Sequence, residues 1–442
     1  MPYPKASYAW LVVGVLALAS VVSFIDRQIV ALLVEPIQQD LGVNDTEAGW
    51  LFGAFAIFYS LGGLPIAYVA DRYSRKWVIA AGVFLWSLMT IGCGLARSFA
   101  VLFAARIGVG VGEATLVPCT HSLVGDYFPR EKIPLAIAVF QMAATFGTGL
   151  AFTIGGLIVE LVRYAPPVDA GPLGLLKPWQ LAFLCAGAPG FVVLVLVLMI
   201  REPKRRGVID TYAGKAMGTA ALFAFYRRNW KAMATHHLGY AIIALVGYSI
   251  VFWTPTFFQR IHGIPAGVAG VYWGLYFLIF ATAGVYYGGR LGERMIRAGH
   301  KDGAIRATIL GGCAMIPLGI VTPLMPWPEL SWALYAPLMF FVNVHSGLGP
   351  GALPVIVPSQ MRAQAAAIYG MTVAAIGMGL GPVLTGAISD YVFPQDHGVR
   401  YSLVLMMVIC GPLWVVLLGA CRPHYRRSFE DAETLEQTGG IS

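Results

Sequence analysis

The sequence predicts an all-α membrane fold of about twelve transmembrane helices in two six-helix halves, on three observations. The chain is too apolar for water, its apolar residues come in blocks of spanning length, and its basic residues crowd into every second loop. Of 442 residues, 58% are hydrophobic and 12% charged, against roughly 45–50% and about 25% in a soluble domain. Blocks such as 48–70, 77–96 and 135–159 approach or exceed the roughly 20 residues a helix needs to cross about 30 Å of hydrocarbon. The 52 glycines and 27 prolines are frequent inside these blocks. Lipid tolerates them there, because neighbouring helices satisfy the backbone groups they free.

In chain order, the first block spans about 9–34. Lys5, the apolar run and the small residues Ala17, Ala19 and Ser20 imitate a secretory leader. The run nevertheless continues to Phe24, carries Asp26 and Arg27, and resumes to Val34, which predicts a first spanning helix. Further spans at about 48–70, 77–96, 99–124, 133–159 and 180–200 complete an N-terminal bundle, residues 1–200. A basic linker, 201–236, follows, and Ala216 to Trp230 within it mixes apolar and basic residues as a surface helix does. Spans at about 237–259, 267–289, 305–325, 331–357, 364–388 and 401–421 form a C-terminal bundle, 237–421, and a polar tail covers 422–442.

Loop charge sets the orientation. Arg72, Arg75 and Lys76 follow the second span, Arg130 and Lys132 the fourth, eight basic residues from Arg201 to Lys231 the sixth, and Arg422, Arg426 and Arg427 the twelfth. The opposite loops hold only Arg97, Arg163, Lys177, Arg260 and Arg400. The positive-inside rule therefore places both termini in the cytoplasm of a multi-pass protein of a plasma or inner membrane. The net charge of +8 belongs to this loop pattern, and nucleic acid is not an expected partner. The six cysteines, Cys93, Cys119, Cys185, Cys313, Cys410 and Cys421, lie in or beside apolar blocks without metal-ligand or CxxC spacing, so they count as small core residues.

An internal repeat supports the two halves. Ala67-x-x-x-Asp71-Arg72 ends the second span and Gly289-x-x-x-Glu293-Arg294 the eighth. Gly147-x-Gly149 with Gly156 in the fifth span is matched by Gly377-x-Gly379 with Gly386 in the eleventh. Small residues at such spacing let helix backbones approach closely.

Charges inside spans mark function, since each costs roughly 2.5–3.5 kcal/mol at a helix centre. Asp26 and Arg27 lie in the first span, Arg106 and Glu113 in the fourth, about two helical turns apart and on nearly one face. Because the two spans run oppositely, Asp26 and Arg106 reach similar depths in the outer half of the membrane with Glu113 nearer the middle, and the four are expected to form one balanced cluster. One reading is a static ion network that fixes packing. The other is proton coupling at Asp26 and Glu113, tuned by Arg27 and Arg106: burial favours a neutral carboxyl, a nearby guanidinium an ionised one. Protons are then the coupling ion, and no cofactor or metal is expected.

Asp71-Arg72-Tyr73-Ser74-Arg75-Lys76 follows the second span. It resembles the major facilitator superfamily's loop motif Gly-x-x-x-Asp-Arg-x-Gly-x-Arg-Lys/Arg, with Ala67 and Ser74 where glycine is usual. The resemblance implies a cytoplasmic gate, for which Asp126, Arg130 and Arg362 at other span ends are plausible partners. Topogenic charge alone is the plainer reading. Phe24-Ile25-Asp26-Arg27-Gln28, the loop motif, Arg106 through Glu113-Ala114, and Gly125-Asp126-Tyr127-Phe128-Pro129 together resemble the spinster family, over roughly residues 20–135. The C-terminal half resembles the superfamily in general. Spinster proteins are proton-linked transporters of sphingolipid-type or lysophospholipid-type substrates, and the resemblance implies that class here, with Asp26 and Glu113 as protonation sites.

Gly108-x-Gly110-x-Gly112 has no strand before it and is expected to pack helices, not to bind a dinucleotide. His121 and His345 are expected to be packing residues. In this architecture the first, fourth, seventh and tenth spans line the central site. The expected substrate-binding set is Arg106, Glu113, Gln141, Tyr248, Phe252, Asn343, Ser346 and Tyr369; around it the seventh and tenth spans offer Tyr248, Phe252, Trp253, Phe340, Phe341, Asn343, His345 and Ser346, mostly apolar surface with a few polar groups. That suits an amphiphilic ligand taken by alternating access by a monomer surrounded by membrane lipid. A proton-driven exporter of drugs or small organic anions is the rival within the class, and a non-transporting receptor the rival outside it. No nucleophile motif, paired metal ligands or phosphate loop points to an enzyme.

Overall fold

A computed structural model describes residues 4–129, 132–166, 168–169, 171, 174–203, 219–358, 361–394 and 397–437. The first long helix, α1, runs Ala6–Leu32, and a short helix α2, Val34–Leu41, turns away from it and ends at Gly42 with φ 67°. Glycine accepts that left-handed conformation without a Cβ penalty. Next comes α3, Asp45–Arg72, opened by a capping box: the Asn44 side chain accepts from the Glu47 amide at 2.8 Å and Glu47 accepts from the Asn44 amide at 2.9 Å. Helix α4, Arg75–Gly94, starts behind the Ser74 N-cap, and α5, Phe99–Glu113, behind the Ser98 N-cap.

The fourth span differs from expectation. It is two helices, α5 and α6, Leu116–Tyr127, broken at Ala114 and Thr115. The Thr115 hydroxyl turns back onto the Gly112 carbonyl at 2.8 Å, so a side chain takes a bond the backbone ladder would otherwise use. Then come α7, Ile133–Arg163, a two-residue antiparallel strand pair, β1 Val168–Asp169 and β2 Leu175–Leu176, and α8, Pro178–Met199.

Beyond the linker, α9, Thr219–Arg228, is the helix expected within 216–230. Helix α10 spans Trp230–His262. It begins earlier than residue 237 because its first turns pack onto α9. The eighth span is α11, Ala266–Tyr276, and α12, Thr282–Arg297, joined through a π-helical stretch, Phe277–Ala281. Helix α13 runs Gly303–Leu324. The tenth span is again two pieces, α14, Pro328–Asn343, and α15, Leu348–Ile356. The eleventh is α16, Arg362–Thr372, a π-helical Val373–Leu380, and α17, Gly381–Tyr391. The last helix, α18, Gly398–Gln437, carries helix well into the polar tail. Among the described residues, eleven helical segments are long and apolar enough to cross a membrane, and the 28-residue α3 stands beside them.

The chain forms two compact units that follow packing rather than chain order. The first holds Met1–Val208, Phe252–Leu278 and Pro382–Val399; the second holds Ile209–Val251, Ile279–Gly381 and Arg400–Ser442. Repeat glycines account for how the first recruits its two later segments. A Cβ on Gly156 of α7 would lie 2.6 Å from the Gly267 carbonyl of α11, and one on Gly386 of α17 would lie 2.3 Å from the Asp45 carbonyl of α3. Only hydrogen fits at either crossing. In the second unit a Cβ on Gly377 would lie 2.6 Å from the Ala244 Cβ of α10. The Gly108, Gly110 and Gly112 row packs as expected: Gly108 faces Met89, Gly110 the Phe55 carbonyl and Gly112 the Trp86 backbone.

Candidate functional site

The four charges expected inside the membrane come together in the first unit. α1 supplies Asp26 and Arg27 and α5 supplies Arg106 and Glu113. Asp26 and Arg106 are fully buried, and Glu113 is 1% exposed. Arg27 donates from Nη2 to Glu113 Oε2 at 2.8 Å. Its guanidinium carbon also lies 4.7 Å from the Phe24 ring centre, 4.8 Å from that of Phe55 and 5.0 Å from that of Tyr59. Rings so placed stabilise a cation without supplying a counter-charge. Arg106 is held differently. Its Nε donates to the Leu51 carbonyl of α3 at 3.2 Å and its Nη1 to the Asp26 carbonyl of α1 at 3.0 Å, and it shares the Phe55 ring at 5.0 Å.

The two carboxyls therefore stand in different company. Glu113 has an ionic partner. Both side-chain oxygens of Asp26 are buried with no hydrogen-bond partner among the described residues, and so is Glu113 Oε1. Burying an uncompensated charge is costly, whereas a neutral carboxyl there costs far less. The arrangement offers one ion pair beside one position suited to taking up and releasing a proton.

Of the expected gate residues, Arg72, Arg75, Lys76 and Asp126 fall at the opposite end of the first unit's helices. Arg75, 2% exposed, donates from Nη1 to Asp126 and from Nε to Glu202 at 3.1 Å, and Ser74 also bonds Glu202. This pin joins α4, α6 and the segment after α8. Burial opposes the Glu202 charge, but the bonds from Ser74 and Arg75 outweigh it and hold that carboxyl below the usual range. Arg72 stacks on Tyr68 at 3.6 Å and Lys76 lies 5.6 Å from the Trp77 ring. Arg362 opens α16 in the second unit and donates to the Val357 carbonyl at 3.1 Å. The side chain of Asp71 and all of Arg130 lie outside the described residues.

The expected substrate-lining residues are dispersed. In the first unit Gln141 is exposed on α7, while Phe252 is fully buried with its ring 5.3 Å from that of Phe52. In the second, Tyr248 is half-buried, Asn343 donates to the Met339 carbonyl at 2.8 Å, Ser346 is exposed in the α14–α15 break, and Tyr369 packs against His236, His237 and Tyr240. Among the described residues no three His, Cys, Asp or Glu side chains come together as metal ligands.

Sequence reasoning missed three clusters. At the face of the first unit away from Arg75, Arg260 forks onto both oxygens of Asp45 at 2.8 Å each, donates to Gln38 at 2.6 Å and bonds Glu35. Asp390 of α17 accepts from the amides of Asp45 at 3.1 Å and Thr46 at 2.8 Å, meeting the orphan donors at the start of α3. Burial opposes the charge on Asp45, and the Arg260 bonds still pull its carboxyl below the ordinary range. In the second unit, Asp302 is solvent-inaccessible and receives Arg306 at 2.9 Å, Arg422 at 2.7 Å and Arg426 at 3.0 Å. Burial disfavours its charge, but the three arginines prevail and hold it well below the carboxylate range. The third is an aromatic group in which His236 lies 4.8 Å from Tyr240 and 5.5 Å from Tyr369, and Tyr240 lies 6.4 Å from His345. A lone arginine in a charge-poor outer loop was the one usable signal for the first of these; the partners of the other two are too scattered in sequence.

Residues 16–382 match the family model described as Major Facilitator Superfamily. Over 430 residues the chain is 28% identical to an MFS-type efflux pump of Mycolicibacterium smegmatis, covering 95% of this chain and 94% of that one. It is 24% identical over 437 residues to protein spinster of Drosophila melanogaster, covering 91% of this chain and 66% of that one. Among solved structures, a bacterial homologue of the human lysosomal transporter spinster, in an inward-facing and unoccupied conformation, superposes with a TM-score of 0.80 at 26% identity, covering 97% of this chain and 98% of that one. With the charge pairing inside the bundle, the loop motif and these likenesses in hand, the chain belongs to the major facilitator superfamily, as a spinster-like multi-pass membrane transporter and not an enzyme.

Proposed function

We infer that this transporter moves an amphiphilic, lipid-like substrate of lysophospholipid or sphingolipid type, driven by protons, through alternating access. The observation that carries the reading is the unequal pairing of the two buried carboxyls: Glu113 holds Arg27, and the Asp26 side chain makes no direct ion pair among the described residues. Asp26 takes up the proton, and a rearrangement that brings Arg106 or Arg27 onto it expels the proton again. Arg106 is poised for this, since its Nη1 already lies 3.0 Å from the Asp26 backbone oxygen. A potential of about 100 mV supplies roughly 2.3 kcal/mol per charge, and each pH unit about 1.4 kcal/mol. One proton driven by both therefore supports a substrate gradient of about a hundredfold or more.

In this reading the arginine-rich face lies in the cytoplasm. Asp71, Arg72, Arg75 and Lys76, with Asp126, Arg130 and Arg362, form the inner gate. The Arg260 ties form the outer one and must break when the site opens outward. The substrate's polar head lies near Arg106 and Glu113, and its tail along apolar surface that includes Tyr248 and Tyr369. The lipid class is what the resemblance to the spinster family implies, and the likeness to spinster proteins keeps it in view. The likeness to an efflux pump over nearly the whole chain favours a second reading, a proton-driven exporter of drugs or small organic anions. Flux of a fluorescent lysolipid and of a small organic anion, measured side by side in proteoliposomes under an imposed pH gradient, separates the two. Protonophore-sensitive lysolipid flux is expected; gradient-driven flux of the anion alone discards the lipid reading.

A further inference from the structure

On the second unit, α9 and the first turns of α10 enclose an apolar groove of about 520 Å³, a volume within the range of small-ligand sites. Its walls are Phe223, Tyr226, Met233, Ala234 and Leu238, with Trp230 at the mouth. Phe223 is 74% exposed and Trp230 59%. Large rings so exposed on a soluble surface are unfavourable, and at a bilayer interface they are anchors.

The groove is built rather than incidental. Its polar tips satisfy one another, Tyr226 Oη lying 3.2 Å from His237 Nε2. Asn229, at the α9–α10 corner, accepts from the Ser428 hydroxyl at 2.8 Å. Leu222 and Met233 belong to the second unit's core, so the walls are fixed from behind. The rim is basic. Lys231 lies 5.8 Å from the Trp230 ring centre, and neither it nor Arg227 forms an ion pair with a described residue. Arg228 meets Asp431 at 3.5 Å, which leaves a net positive rim.

We propose that this groove is a binding site for an anionic diacyl phospholipid, with one acyl chain between α9 and α10 and the headgroup phosphate on Arg227 and Lys231. Charge complementarity selects the occupant: the walls accept any chain, but two cations without an ion pair among the described residues favour a phosphate whose charge is not cancelled by choline. This lipid is a resident of the second unit and is distinct from the transported substrate, so the site stands whether or not the transport reading does.

The test uses the full chain purified in detergent, with native mass spectrometry and thermal unfolding in added phosphatidylglycerol or phosphatidylcholine of identical chains. Phosphatidylglycerol is expected to be retained as a discrete adduct about tenfold or more above phosphatidylcholine and to raise the unfolding temperature. An Arg227→Gln/Lys231→Gln variant should bind both lipids alike, and Phe223→Asp should lose both. Equal retention by the unmodified chain, or an undiminished preference in the double variant, overturns the proposal. So does a dimer in solution that Phe223→Asp dissociates, because the groove would then belong to a second copy.

Discussion

The interiors of the two units differ in kind. The first buries Asp26, Arg106 and Glu113, with Arg27 half-buried beside them; the second buries His236, His237 and Tyr240, with His345 half-buried beside them, rings that pair with no carboxylate or guanidinium among the described residues. Both interiors sit beside helix breaks, at Ala114–Thr115 in one and between α14 and α15 in the other. Their basic-face pins are charge-reversed versions of each other. Arg75, at the start of the third span, gathers two carboxylates, and Asp302, at the start of the ninth, gathers three arginines. A duplicated bundle can thus keep its packing while changing the sign and kind of what it buries. Around the buried groups at mid-helix, charges pair in the first unit and rings pack in the second, while both keep ion pairs at their basic face.

The largest test of that contrast is stability. Arg27→Gln removes the partner of a solvent-inaccessible Glu113 and should cost about 3–5 kcal/mol. Tyr240→Phe removes one hydroxyl, bonded to Thr308 at 2.9 Å, and should cost about 1 kcal/mol. Thermal unfolding of both variants in detergent decides the matter; equal losses would mean that the first interior is no more electrostatically committed than the second.

A smaller effect is expected at the outer ties. Arg260→Gln strips Asp45 and Glu35 of their cation, a loss of roughly 1.5–3 kcal/mol per charged hydrogen bond. A cysteine placed at buried Ala48 should then react with a water-soluble maleimide about tenfold faster or more. No change in reactivity would show that the glycine crossings alone hold that face together.

The smallest concerns pH. Because the folded carboxyl of Asp302 is held well below its ordinary value, its stabilisation is fully present above about pH 4, where the unfolded carboxyl is ionised, and fades as pH falls towards the folded value. Asp302→Asn should therefore unfold at a lower temperature than the parent at pH 7, by the same margin at pH 5.5, with the gap closing only below about pH 4. A gap that closes between pH 7 and 5.5 would mean that another group sets it.

The spans were legible because hydrocarbon thickness imposes a length on every apolar block, and the buried charges because so few exist inside blocks. Arg75 and Asp126 were legible as basic-face residues, and the structure joins them. The break at Thr115 was not, since a hydroxyl returning to its own helix leaves no trace in hydropathy. The π-helical stretches at 277–281 and 373–380 were hidden for the same reason, because apolar composition is blind to a slipped hydrogen-bond register. The Arg260 cluster draws on residues 35, 38, 45 and 260, and no local pattern links such distant positions. Phe252, expected as a lining residue, is fully buried with its ring against that of Phe52, a side-chain placement that hydropathy does not carry.

The central claim is that Asp26 carries the driving proton. The most direct measurement is fluorescent lysolipid flux into proteoliposomes as a function of the imposed pH gradient, comparing the parent chain with Asp26→Asn reconstituted at equal density. The account predicts flux that rises with the gradient and collapses with a protonophore in the parent, and flux indifferent to the gradient in the variant. A folded Asp26→Asn protein that transports with the full pH dependence of the parent would contradict it.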